Sequence, residues 1–285
     1  MINKKRKILI IGLGLIGGSY AKRLKQLGFE VGAITLNQKD IDYAIENNII
    51  DHGFVEIKKE YTLSFDIIVF ALYPKIFKSW IESNPNVFKK GAIVTDVTGV
   101  KSCIIYDIEK QLLDQGVYFV ASHPMAGKEV YGVENASSTL FVNANFIITP
   151  TLNTNKEAIE TIIDMGKLLG FANISTISPE KHDEMIAFLS QLTHCIAITL
   201  MTCKDSLYLK DYTGDSFRDL TRIANINENM WSELFLLNKQ QLLSQMELFE
   251  KEFDKLKLAL ENEDEATIKE MMKLSTYRRS FFNKK

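Results

Sequence analysis

Cysteine is scarce in this 285-residue chain: Cys103, Cys195 and Cys203 are the full set. They form neither a Cys-x-x-Cys pair nor an even framework, which excludes a disulfide scaffold and fits buried thiols in a reducing compartment. No metal-ligand set is read either. Excess charge is also missing. Lys+Arg 34 against Asp+Glu 36 leaves a net charge of -2, so neither nucleic acid nor an anionic membrane is expected as a partner. Lys4-Lys5-Arg6-Lys7 before Ile8–Ile11 looks superficially like a secretion signal, but glycines at 12, 14, 17 and 18 interrupt the run and no small-residue cleavage site follows. No later stretch is read as long enough to span a bilayer, and a cytoplasmic location is expected. Glycine does not occur after Gly214.

What is present is a globular profile, 46% hydrophobic and 25% charged, at a length that favours two domains. Ile8 to Ile11 reads as a short strand ending in Gly12-Leu13-Gly14-Leu15-Ile16-Gly17-Gly18-Ser19. Ser19 to Leu27 has helical apolar spacing closed by Gly28, and Phe29 to Thr35 reads as a second strand. A G-x-G-x-x-G pattern inside a strand–helix–strand unit predicts a dinucleotide site. Gly12 permits the tight turn, Gly14 lets the backbone approach a pyrophosphate, and Gly17 lets helix pack on strand. The helix N-terminus offers N–H groups and partial positive charge to the phosphates. At the end of the second strand no carboxylate appears before Asp40; Thr35 and Asn37 are expected to donate to a phosphate, with Lys39 adding charge. That favours NADP over NAD.

Further strands are predicted at Phe65–Leu72, Gly91–Thr95, Val117–Ala121, Phe146–Thr149 and Asn173–Ile177, with a helix over Lys156–Leu169. The alternation argues for an α/β fold with a doubly wound, mostly parallel sheet. Two polar turns then fall at strand ends, where ligands sit in such sheets. One is Asp96-Val97-Thr98-Gly99-Val100-Lys101. The other is Ser122-His123-Pro124-Met125-Ala126-Gly127-Lys128-Glu129, whose His, Pro and Gly are expected to end the preceding strand in a loop.

At Ser178-Pro179 the pattern changes to a helix start, and no convincing strand follows. The domain boundary is placed here: 1–177 binds the dinucleotide, 178–285 is helical. Residues 183–201 are apolar on nearly every side, the mark of a buried helix, yet Asp183, Ser190, Gln191 and His194 fall on one arc. That stripe is either an internal network or one wall of a cleft. Arg222 is either a surface partner of Asp219 or a ligand contact. Met230 to Leu260 reads as one long amphipathic helix, for the core or a dimer face, and Lys273–Lys285 as a solvated tail.

Taken in order, these motifs resemble the prephenate/arogenate dehydrogenase family of tyrosine biosynthesis. The likeness runs through Gly12–Ser19, Asp96–Lys101, Ser122–Glu129, Leu140-Phe141 with Ile148–Thr151, Ser178–Asp183, Ser190–His194, and Asp219–Ala224 with Trp231. The resemblance implies an N-terminal Rossmann-like domain, an all-α C-terminal dimerisation domain, a homodimer and an active site between the domains. It implies that NADP or NAD is held by Gly12, Gly14, Leu15, Ile16, Gly17, Thr35, Asn37, Leu72 and Thr98. It implies that His123 accepts the hydrogen bond of the substrate's ring hydroxyl, that Arg222 grips a substrate carboxylate, and that His194 lies in the substrate pocket of prephenate-type members. Thr98, Ser122, Gln191 and Trp231 are the further substrate contacts expected. Gly99 replaces a frequent family serine, Gln191 a histidine and Thr193 a proline. A β-hydroxyacid-type dehydrogenase would need a catalytic lysine on the first interdomain helix, and 183–201 contains none. A dinucleotide-binding sensor without activity would keep the glycines but have no need of both His123 and Arg222.

Overall fold

The structure is a computed structural model that describes residues 2–128, 130–205 and 208–282. Short strands form its centre, most of them rich in Ile, Val and Phe and buried on both faces, the edge strand His52–Phe54 being the exception. They are β1 (Ile8–Ile11), β2 (Val31–Ile34), β3 (His52–Phe54), β4 (Ile67–Phe70), β5 (Ile93–Asp96) and β6 (Tyr118–Val120), all parallel and in the order β3-β2-β1-β4-β5-β6. Alternate residues feed opposite layers: Ile8, Ile10, Ile67 and Val69 enter one core cluster, while Leu9, Ile11, Ile68 and Phe70 enter the other. The first layer holds α1 (Leu15–Gln26) and α2 (Gln38–Glu46). The short α3 (Lys59–Thr62) precedes β4, and the second layer holds α4 (Pro74–Ser83) and α5 (Ile105–Asp114). This strand order reverses between β1 and β4, which is where doubly wound sheets open a ligand crevice at their carboxyl ends.

A second, smaller sheet was not foreseen. Ser122–Met125 forms strand β7, paired antiparallel with β8 (Asn145–Ile148), which pairs in parallel with β9 (Asn173–Thr176) after α6 (Lys156–Leu169). The expectation of a loop here is corrected. Pro124 is tolerated because β7 is an edge strand, where a missing N–H breaks no inner ladder. Asn155 caps α6 by accepting from Ala158 N at 3.0 Å, and Gly170 ends it at a left-handed φ of +95°.

Beyond residue 178 the described chain is helical. Ser178 caps α7 (Pro179–Ile186), accepting from Lys181 N at 3.2 Å. A π-helical turn, Ala187–Leu192, leads into α8 (Thr193–Thr202). Then come α9 (Asp215–Thr221), a 3-10 turn at Arg222–Ala224, α10 (Glu228–Leu237), α11 (Lys239–Glu261) and α12 (Glu265–Ser280). Four expectations change. The helix drawn from Met230 to Leu260 breaks at Asn238, whose amide donates to Asp183 O at 2.9 Å and Gln191 Oε1 at 2.8 Å. Residues 183–201 are not buried all round: Phe188 and Leu189 are 52% and 51% exposed. The tail from Lys273 remains helical to Ser280; residues 283–285 lie outside the described ones. Finally, Pro179–Thr202 spans 24 residues at mean hydropathy 1.6, so by length and composition one helix is long and apolar enough to cross a membrane. Its His182, Asp183 and Gln191 are buried and hydrogen-bonded to protein groups, so that face of the helix packs against the rest of the chain.

Candidate active site

The glycine loop follows β1 at the crevice. Gly12 has φ +97°, and a Cβ there would lie 2.4 Å from Ala71 O. At Gly17 a Cβ would meet Gly12 O at 2.0 Å, so the turn tolerates no side chain at either position. Gly14 is different: a Cβ there meets nothing within 4 Å, and as N-cap of α1 it makes no side-chain cap bond. The start of α1, at Leu15 and Ile16, is thus unobstructed beside Gly14, as a pyrophosphate at a helix N-terminus would require. Leu72, at the end of β4, packs against Gly12.

At the end of β2, Thr35 is half-buried. Asn37 is otherwise engaged than expected. Its oxygen caps α2 by accepting from Lys39 N at 3.0 Å, and its amide donates to Asp40 at 3.1 Å. Burial, then the nearby Glu134 carboxylate, raise the Asp40 pKa.

His123 lies on β7, with Ser122 and Pro124 buried on either side. Its Cε1 comes within 3.9 Å of the position a Cβ would take at Gly99, and Leu234 of α10 lies 3.5 Å from that same position. Three residues before Leu234 on the same helix, Trp231 stacks on His194 with ring centroids 3.6 Å apart. His194 Nδ1 donates to Ser190 O at 2.8 Å. The 3-10 turn bearing Arg222 packs on α8, the helix of His194, and Arg222 itself is exposed. Gly99, His123 and Leu234 therefore meet between the sheet's carboxyl edge and α10, with the Trp231–His194 stack one turn along that helix; this is the candidate cleft.

Three expected ligand contacts turn inward instead. Ser122 is fully buried: its N–H donates to Asp96 Oδ1 at 3.0 Å and its hydroxyl to Asp96 O at 2.8 Å. The buried Thr98 hydroxyl donates to the Asp96 carboxylate and accepts from Lys101 Nζ at 3.1 Å. Gln191 donates to Leu234 O at 3.1 Å and accepts from Asn238. These side chains hold the walls of the cleft together rather than face it. At their centre the buried Lys101 ammonium donates to Asp96 Oδ2 at 2.5 Å and Ser122 O at 2.6 Å. Burial lowers its pKa, and the Asp96 carboxylate opposes that effect.

Sequence reasoning missed His182. Its Nε2 lies 2.9 Å from His123 Nδ1, and its Nδ1 lies 2.8 Å from Asp183 Oδ1. Asp183 also accepts from Lys101 N at 2.9 Å, Ser102 N at 2.8 Å and the Ser102 hydroxyl. Burial pushes the Asp183 carboxyl up, but the bonds from His182 and Ser102 outweigh it and hold its pKa below the usual carboxylate range. Burial, His182 and Lys101 together hold His123 well below the usual imidazole range, so it is neutral near pH 7. The available signal was the His-Asp pair one turn into a well-capped helix, of which only Asp183 was used. A separate polar cavity of about 430 Å³, lined by Lys25, Glu30, Asp51 and His52, lies at the amino ends of β2 and β3, away from these groups.

A parallel sheet in this order, with a glycine loop at its switch point and a neutral histidine in the adjoining cleft, defines a nicotinamide-dependent dehydrogenase. Residues 20–174 match the prephenate dehydrogenase nucleotide-binding domain, and 178–274 match the prephenate dehydrogenase dimerization domain. The chain belongs to the prephenate dehydrogenase family. It is 31% identical to the prephenate dehydrogenase of Bacillus subtilis (strain 168) over 274 residues, which cover 93% of this chain and 72% of that one. It is 29% identical to the cyclohexadienyl dehydrogenase of Zymomonas mobilis, with 91% and 90% covered. The crystal structure of prephenate dehydrogenase from Aquifex aeolicus in complex with hydroxyphenyl propionate and NAD+ superposes with a TM-score of 0.89 at 30% identity, covering 98% of both chains.

Proposed function

We propose that this enzyme oxidises prephenate, in preference to arogenate, to 4-hydroxyphenylpyruvate and CO2. The observation that carries the reading is His123: neutral, half-buried in the cleft, and with an Nε2 that makes no hydrogen bond to any described residue. Such a nitrogen suits a general base near pH 7. The bound nicotinamide supplies the hydride acceptor for the hydroxyl-bearing ring carbon. His123 Nε2 accepts the hydroxyl proton, the carbon–carboxylate bond breaks to release CO2, and its electron pair completes the aromatic ring. The proton then returns to the phenolate oxygen. Arg222 is assigned to a substrate carboxylate, which a planar guanidinium can hold in two places. His194, presented by Trp231, faces the side chain; α8 has no carboxylate over Thr193–Thr202 to meet the ammonium that distinguishes arogenate.

The cofactor is held at Gly12, Gly14, Leu15, Ile16 and Gly17, with Leu72 behind them. NAD+ replaces the sequence-based preference for NADP+, because Asn37 is engaged as a cap and Asp40 lies beside Glu134. The domain boundary is drawn between 177 and 178, at the Ser178 cap. A homodimer in the cytoplasm completes the reading: Leu236, Phe253, Leu258 and Leu260 are large apolar side chains 67%, 60%, 59% and 61% exposed, a pattern a second copy would cover. The test is a comparison of kcat/KM for prephenate and arogenate with NAD+ and NADP+. Prephenate with NAD+ is expected to be fastest; faster turnover of arogenate would overturn the substrate assignment.

A further inference from the structure

His123 can act as the base only if the nitrogen facing the cleft carries a lone pair, and a neutral imidazole has one protonated and one bare nitrogen. The hydrogen bonds behind it decide which is which. Asp183 receives Lys101 N–H, Ser102 N–H and the Ser102 hydroxyl, all of them donors, so its carboxylate is an acceptor only. His182 Nδ1, 2.8 Å away, must therefore carry a proton and donate it to Asp183. In neutral His182 that leaves Nε2 bare. Its neighbour at 2.9 Å, His123 Nδ1, must then be the donor, and the proton on Nδ1 leaves His123 Nε2 bare toward the cleft.

We propose that Asp183 and His182 are positioning residues that lock His123 in the Nδ1-protonated tautomer, so that its Nε2 lone pair meets the substrate hydroxyl. The proposal rests on the reading of His123 as the base. Its geometry crosses the two halves of the molecule: Asp183 and His182 are on α7, His123 is on β7, and the Lys101-Ser102 amides follow β5. The helical part therefore sets the protonation of a base carried by the sheet. A histidine in water prefers the opposite tautomer, so the arrangement imposes a state the side chain would not hold alone.

The chain has four histidines, His52, His123, His182 and His194, few enough for ¹⁵N NMR of histidine-labelled protein to read each ring. The expected wild-type result at neutral pH is a bare Nε2 and protonated Nδ1 at His123. In His182→Phe that preference is lost, and kcat falls by about ten- to a hundredfold, a part of the roughly 10² to 10⁴ that a positioned base contributes. KM for prephenate and the dissociation constant of NAD+ are expected to hold. His123 protonated at Nε2 in the wild type, or kcat within about twofold of wild type in a folded His182→Phe, would overturn the proposal. If that variant does not fold, the wild-type spectrum decides alone. His123→Asn separates the two layers: activity retained there sinks the base assignment, whereas activity lost there but kept in His182→Phe sinks only the tautomer lock.

Discussion

The two halves of the chain solve burial differently. In the sheet domain every residue of β1, β2, β4 and β5 is buried, and the strands divide their side chains between two cores. In the helical half, α12 has no buried residue, and α11 buries only Leu242 and Ala259 among its 23 residues. So long a helix draws little of its stability from packing within the described chain. The cleft lies where these two regimes meet. One wall is rigid because it is the edge of a closed core; the other is positioned by a few polar contacts, chiefly Asp183, Gln191 and Asn238.

The contrast can be broken hardest at its rigid end. Gly17→Val would place side-chain atoms against Gly12 O, where even a Cβ sits at 2.0 Å. Loss of NAD+ binding, or of the folded protein, is expected by calorimetry and circular dichroism; retained NAD+ affinity would show that the loop is not the cofactor cradle. On the helical wall, Arg222→Ala removes a charge-assisted carboxylate contact, roughly 1.5–3 kcal/mol or ten- to a hundredfold in kcat/KM for prephenate, while NAD+ affinity stays unchanged. Unaltered kcat/KM would return Arg222 to a surface role.

Acid should act where the walls touch. His123 and His182 both have pKa values lowered in the folded protein, by burial first. The unfolded chain then takes up protons that the folded one does not, so stability is full above the ordinary histidine pKa of about 6.5 and declines below it. Denaturant midpoints measured from pH 8 to 5 are expected to hold and then drop, and kcat/KM should keep its value below pH 6.5, where an ordinary histidine would already be protonated. The smallest effect belongs to the sheet half. Tyr20 is fully buried in α1, and its hydroxyl has no hydrogen-bond partner among the described residues. Tyr20→Phe removes an unsatisfied group and is expected to raise stability by about 1 kcal/mol; a loss of stability would reveal a partner for that hydroxyl.

The same division explains what the sequence made legible. Strand runs and the glycine loop are local patterns whose period matches their structure, and α6 is found at its predicted bounds, Lys156–Leu169. Ser122–Met125 was misread because Pro124 says nothing about an edge position in a second sheet. On the helical side, a wheel drawn from Asp183 to His194 assumed a continuous α-helix. The π-helical turn at Ala187–Leu192 rotates the residues beyond it, so Asp183 and Gln191 join an internal network while His194 stacks in the cleft. The internal-network alternative for the polar stripe is thus realised by Asp183 and Gln191. The break at Asn238 and the role of His182 depend on partners dozens of residues away, which no local period encodes.

Everything said of the cleft converges on one side chain, and His123→Asn tests it most directly. Turnover of prephenate with saturating NAD+ should fall by about 10² to 10⁴, with the dissociation constant for NAD+ the same as in the wild type. A kcat within about threefold of the wild type would contradict the account.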